Sequence, residues 1–210
     1  MRISTHVVSS VFTNCYIIQD EGTGETVVID PGEITEEMYE QLTRIGPQRV
    51  KYILLTHCHF DHILGADELR RFTGAPIAIH KSEERAMQDS RLNGMAIFGI
   101  PSQRLCKPDI LFWDEDTFEV GDLTFRVMYT PGHSAGSSCF VCDDVIFTGD
   151  TLFRDSVGRT DLPTGSYQTL LKSLKKFLQL PKDYVLYPGH GNRTTLSYER
   201  ENNPYMIEAK

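Results

Sequence analysis

Short apolar runs that alternate with amphipathic stretches predict an α/β fold in which mixed β-sheets are flanked by helices. Three observations carry that prediction. The runs are rich in β-branched and aromatic residues and too short for helices. The stretches between them repeat apolar residues at helical spacing. With 210 residues, 40% hydrophobic and 24% charged, the chain can bury a substantial core, so residues 1–210 are expected to form a single domain. No low-complexity tract or fixed-period repeat divides the sequence.

Near the N-terminus, Cys15-Tyr16-Ile17-Ile18 and Val27-Val28-Ile29 read as strands, with Glu21-Gly22-Thr23-Gly24 as the hairpin loop between them. Ile34, Met38, Leu42 and Ile45 share one helical face, and Gly46-Pro47 stops that helix. Tyr52-Ile53-Leu54-Leu55 is the next strand, followed by a helix expected over residues 61–71. Residues 90–108 have weak periodicity and several turn formers, which predicts a long loop over the site the fold builds. Residues 123–129 alternate apolar and polar, whereas Val145-Ile146-Phe147 and Tyr184-Val185-Leu186-Tyr187 are continuous and predict strands buried on both faces. Between these last two, Tyr167, Leu170, Leu171, Leu174, Phe177 and Leu178 form a helical stripe that Pro181 ends, with Lys172, Lys175 and Lys176 expected to face solvent.

Charge and cysteine content narrow the function. The formal net charge is −8, and no stripe of Lys and Arg offers a nucleic-acid platform. No apolar run approaches the roughly 18–20 residues of a membrane span, and the N-terminus lacks the apolar core of a signal peptide. A cytoplasmic protein is expected. Five cysteines, an odd number, argue against a disulfide framework. Cys139 and Cys142 lie in a strand pattern and read as small hydrophobes rather than a redox or zinc pair, and Cys58 as a bystander between two histidines.

Chemistry gathers where the strands end. Ile53-Leu54-Leu55 runs into Thr56-His57-Cys58-His59-Phe60-Asp61-His62, and the strand at Tyr129 into Thr130-Pro131-Gly132-His133. Phe147 is followed by Thr148-Gly149-Asp150, and Tyr187 by Pro188-Gly189-His190. Five of the seven histidines, with Asp61 and Asp150, thus sit at equivalent ends of apolar strands that can converge on one sheet edge. Neutral imidazole is the commonest protein ligand for zinc, and carboxylates complete such sites. Seven ligands are too many for one tetrahedral ion and suit two ions sharing a bridge.

The order H-x-H-x-D-H, then a distant His, Asp and His, resembles the metallo-β-lactamase superfamily. Within it, Gly149-Asp150-Thr151-Leu152-Phe153, Val157-Gly158-Arg159-Thr160-Asp161 and Pro188-Gly189-His190-Gly191 are similar to the glyoxalase II-like (hydroxyacylglutathione hydrolase-like) branch. The resemblance spans about Asn14 to Tyr205 and implies a four-layer αβ/βα sandwich. It implies one metal on His57, His59 and His133, a second on Asp61, His62 and His190, and Asp150 between them. Asp30, in Val28-Ile29-Asp30-Pro31-Gly32, matches an aspartate that supports the ligands without binding metal, and a turn-forming role explains it equally well. Arg159 matches a basic residue near the thiol portion of the substrate, with pairing to Asp155 or Asp161 as the alternative. The C-terminal helical region of full-length glyoxalase II has no counterpart in the twenty residues after His190.

The resemblance therefore implies a hydrolase of small acyl thioesters, glutathione-derived ones among them, using two divalent ions, zinc ahead of iron or manganese. The ions would present hydroxide to the acyl carbonyl, and Asp61 and Asp150 would hydrogen-bond that nucleophile and shuttle its proton. Persulfide dioxygenases share the motif but use one iron, on the residues matching His57, His133 and Asp150. A nuclease and a non-catalytic metal-binding module fit the acidic, ligand-rich chain less well.

Overall fold

The computed structural model describes residues 1–101, 105 and 107–210. Two six-stranded sheets form its centre. The first contains β1 (Arg2–Val8), β2 (Thr13–Gln19), β3 (Thr26–Ile29), β4 (Val50–Leu54), β5 (Ile77–His80) and β6 (Ile110–Phe112), side by side in chain order. β1 to β3 pair antiparallel, and β3 to β6 pair parallel. The second contains β7 (Thr117–Val120), β8 (Leu123–Tyr129), β9 (Ser138–Cys142) and β10 (Val145–Gly149). A short hairpin, β11 (Leu152–Phe153) and β12 (Ser156–Val157), follows before β13 (Val185–Pro188) and β14 (Thr194–Thr195) complete that sheet. β10 and β13 pair parallel, and the other pairs are antiparallel, so both sheets are mixed.

The period-two alternation of strand side chains sorts the core into three layers. Tyr16, Ile18, Val27, Ile29, Phe125, Phe140 and Phe147 meet between the sheets. Ile17 and Val28, one residue out of phase, point outward to Met38, Leu42 and Leu69 of the helices over the first sheet. Ile146 and Val141 point the other way, to Leu174 and Phe177 over the second sheet. The result is helix, sheet, sheet, helix: the expected four-layer sandwich.

Helix α1 (Glu36–Ile45) starts where Thr35 Oγ1 accepts the Met38 amide and ends at Gly46, whose φ of 98° few other residues tolerate. The helix expected over residues 61–71 is two: α2 (Phe60–Ile63) and α3 (Ala66–Thr73). The interruption has a tertiary cause. Gly65 donates its amide to Pro31 O, and a Cβ there would lie 2.7 Å from that oxygen. Helix α4 (Tyr167–Gln179) is capped by Ser166 and buries Leu170, Leu174 and Phe177, and α5 (Leu196–Asn202) and α6 (Pro204–Glu208) close the chain.

Two further expectations need correction. Lys176 does not face solvent freely: its Nζ donates to Tyr129 O and to Asp114. β10 is buried along its length, but β13 alternates buried with half-buried residues because it lies next to the edge. Cys15, Cys58, Cys139 and Cys142 are buried free thiols. No helix among the described residues is long and apolar enough to cross a membrane.

Candidate metal centre

Four loops leave the same edge of the paired sheets, and each delivers ligand-type side chains. His57 and His59 follow β4, His133 follows β8, Asp150 follows β10 and His190 follows β13. Asp61 and His62 lie on α2, one turn that folds them back over the loop. Three groups result, each with candidate ligand atoms within 4.8 Å of one another: His57, His59 and His133; His57, His62 and Asp150; and Asp61, His62 and His190. Asp150 links them, with Oδ2 3.5 Å from both His133 Nε2 and His190 Nε2, and Oδ1 3.4 Å from His62 Nε2. Except for partly exposed His190, all seven are buried.

The hydrogen bonds behind the imidazoles fix which nitrogens face inward. His133 Nδ1 donates to Arg159 O at 2.7 Å, and His62 Nδ1 to Asp30 Oδ2 at 3.0 Å. Thr56 Oγ1 gives its proton to Asp30 Oδ2 and so accepts from His57 Nδ1, at 3.0 Å. Each of these three rings then turns an Nε2 lone pair toward the centre. His133 Nε2 and His57 Nε2 stand 3.2 Å apart, and His59 Nδ1 is 2.8 Å from His133 Nε2. Buried His59 Nε2, His62 Nε2 and Asp150 Oδ1 have no hydrogen-bond partner. Converging lone pairs and orphaned buried polar atoms are costly without a cation between them, so the residues fit divalent metal.

The charge balance agrees. Burial, aided by the neighbouring histidines, pushes His57 well down, and burial brings His59 to about 3, so both favour the neutral ligand form. At His62 burial acts downward too, but Asp61, Asp150 and Asp30 outweigh it and hold the ring well above its ordinary value. Asp61 and Asp150 are driven low despite their burial, Asp61 by His62 and His190, and Asp150, to about 2, by His62 and His133. These carboxylates demand positive charge, which a metal ion supplies in place of a proton.

The centre opens into a 290 Å³ cavity walled by Val11, Phe60, Phe98, Phe153, Leu162 and Arg159. A model of the metallo-beta-lactamase superfamily matches residues 9–190, which contain every residue of the cluster. The chain belongs to the metallo-beta-lactamase superfamily. Among its relatives is the hydroxyacylglutathione hydrolase GloC of Haemophilus influenzae, 32% identical over 98% of each chain. The crystal structure of BLEG-1 B3 metallo-beta-lactamase superposes with a TM-score of 0.89 at 35% identity, covering 98% of this chain and 99% of that one. TTHA1623 in a di-iron-bound form gives 0.81 at 32%, covering 96% and 99%. ETHE1 from Myxococcus xanthus gives 0.76 at 27%, covering 99% and 89%.

All seven residues expected as ligands come together in this superfamily member. Asp30 lies behind them, with φ of 53° just past β3, and holds Thr56 and His62. Arg159 reaches the cavity wall, but its guanidinium makes two 2.7 Å bonds to Asp161 and lies over the Phe98 ring. The predicted covering loop is partly visible: Gly94 and Phe98 line the cavity, whereas residues 102–104 and 106 lie outside the described residues. Sequence reasoning missed Thr13, whose Oγ1 donates to Asp61 Oδ2 at 2.7 Å across 48 residues, and Thr56, the relay from His57 to Asp30. It also missed Gly189, where a Cβ would meet Asp150 Oδ1 at 2.1 Å. A glycine is the residue that lets the backbone pass that close.

Proposed function

We propose that the protein is a metal-dependent hydrolase of small acyl thioesters, similar to glyoxalase II, with His57, His59 and His133 holding one divalent ion and Asp61, His62 and His190 a second. The observation that carries this reading is Asp150, whose carboxylate stands within 3.5 Å of nitrogens from both triads. Likeness to GloC supports the reaction class, and likeness to a di-iron protein supports two ions. Zinc is our first choice of metal, with iron or manganese also suited to imidazole and carboxylate ligands. When bound, such ions lower the pKa of water and polarise an acyl carbonyl.

The chain's own residues supply the rest. Asp61 and Asp150 hydrogen-bond the attacking water and shuttle its proton. Asp30 and Thr56 hold His57 and His62 in one tautomer. Val11, Phe60 and Phe98 shield the thioester from bulk water. Arg159 leaves an exposed pair of little net worth with Asp161 to meet an anionic group of the substrate, as a glutathione-derived thioester would offer. The acidic balance and buried free thiols support a cytoplasmic enzyme with no nucleic-acid partner.

A second reading, a mononuclear-iron persulfide dioxygenase on His57, His133 and Asp150, is favoured by the likeness to ETHE1. Two assays on the purified protein decide between them. Thiol release from S-lactoylglutathione and from acyl-pantetheine, abolished by a chelator and restored by zinc, is the expected result. Oxygen uptake with glutathione persulfide, and no thiol release from either thioester, would replace the hydrolase reading with the second.

A further inference from the structure

Glu83 is fully buried, 51 residues from its side-chain partner and outside every ligand group. It follows β5, a strand that delivers no ligand. Its Oε1 accepts the hydroxyl of Ser134 at 2.7 Å and the amide of Gly136, which places it under the turn that begins with His133. The fit is close, since a Cβ on Gly136 would lie 2.4 Å from Glu83 Cγ. Oε2 has no hydrogen-bond partner. The turn is tied internally by Ser137 Oγ, which accepts the Ser134 amide at 3.0 Å, and then joins the other ligand loop where Ser138 donates its amide to Thr56 O at 2.9 Å. A buried carboxylate is an expensive way to hold a turn, so a requirement for position explains it better than stability.

Resting on the metal-centre reading above, we propose that Glu83 is a positioning residue: its carboxylate sets the Ser134–Gly136 turn, and through it His133, against the loop that carries His57 and His59. The Ser138 amide, bonded to Thr56 O one residue before His57, is where that turn meets the other ligand loop. Glu83 touches neither metal nor substrate, and acts only as a strut that sets where His133 stands against His57.

The test is zinc affinity, measured by competition with a chromophoric chelator on metal-free protein, beside the melting temperature of the same preparation. Glu83→Ala is expected to lose about tenfold or more in zinc affinity, the loss typical of outer contacts to a metal site. Glu83→Gln, whose amide oxygen still accepts from Ser134 and Gly136, is expected to recover most of it. Both should melt close to the wild-type metal-free protein. If Glu83→Ala fails to fold, Ser134→Ala replaces it, with a loss of a few fold expected. Wild-type affinity in the folded variants would overturn the strut, as would losses that merely follow melting temperature across the series. Failure of the wild-type protein to bind zinc, iron or manganese would instead overturn the metal-centre reading on which the strut rests.

Discussion

The two ends of the paired sheets bury carboxylates in opposite ways. At the β2–β3 turn, buried Asp20 accepts from the Thr23 hydroxyl and amide at 2.6 and 3.0 Å, and from the Gly22 and Asp122 amides at 3.3 Å. Its oxygens are fully used, and the group does nothing but close a loop. At the other end Asp150 keeps an oxygen with no partner, beside two histidine nitrogens in the same condition. Folded proteins satisfy most of their buried polar groups. The end that leaves them unsatisfied holds capacity for something that binds there.

The largest effect that sharpens this contrast is expected at Asp150. Asp150→Ala should lower thioester hydrolysis at least ~10³-fold, the several kcal/mol that a metal centre contributes to a transition state. The metal-free variant should melt close to wild type, and activity within tenfold of wild type would break the contrast. His59→Ala separates the two functional readings. It should cost the hydrolase about 10²-fold, roughly 2.7 kcal/mol, in steady-state thiol release. A one-iron dioxygenase would keep its oxygen uptake, because His59 lies outside that triad.

Asp30→Asn removes the charge behind His57 and His62, and zinc affinity should fall about 10- to 100-fold by chelator competition. Unchanged affinity would reduce Asp30 to a turn former. The smallest effect belongs to the quiet end. The Thr23 hydroxyl, then the surrounding amides, hold Asp20 down from 3.8 to about 2. A lowered folded-state pKa gives stability that is present above the unfolded value and lost as pH falls toward the folded one. Asp20→Asn should therefore lower the melting temperature near neutral pH, and the gap should close between about pH 4 and pH 2. A gap independent of pH would show that the carboxylate charge is not what holds the turn.

How much was legible in the sequence follows the same division. The seven ligand-type residues could be found because each follows a strand end, where apolar runs give way to His or Asp in a fixed order. Strands β2, β3, β4, β8, β9, β10 and β13, with α1 and α4, could be found because their periodicity is local, whereas β1, β5, β6 and β7 were not predicted. What stayed hidden depends on contacts between distant segments. Gly65 looks like a residue inside a helix until Pro31 O lies against it. Thr13 is one threonine among many until it reaches Asp61. Glu83 is one acid among many until Ser134 and Gly136 close over it. The pairing of Arg159 with Asp161 is local, and the sequence left it open because an arginine two residues from an acid is as well suited to a substrate.

The most direct test of the account is the number and identity of metal ions per chain, by elemental mass spectrometry on protein purified without added metal. Two triads sharing Asp150 predict about two ions per chain. About one iron, with no second ion taken up when zinc is offered, would contradict the dinuclear hydrolase and leave the dioxygenase reading in its place.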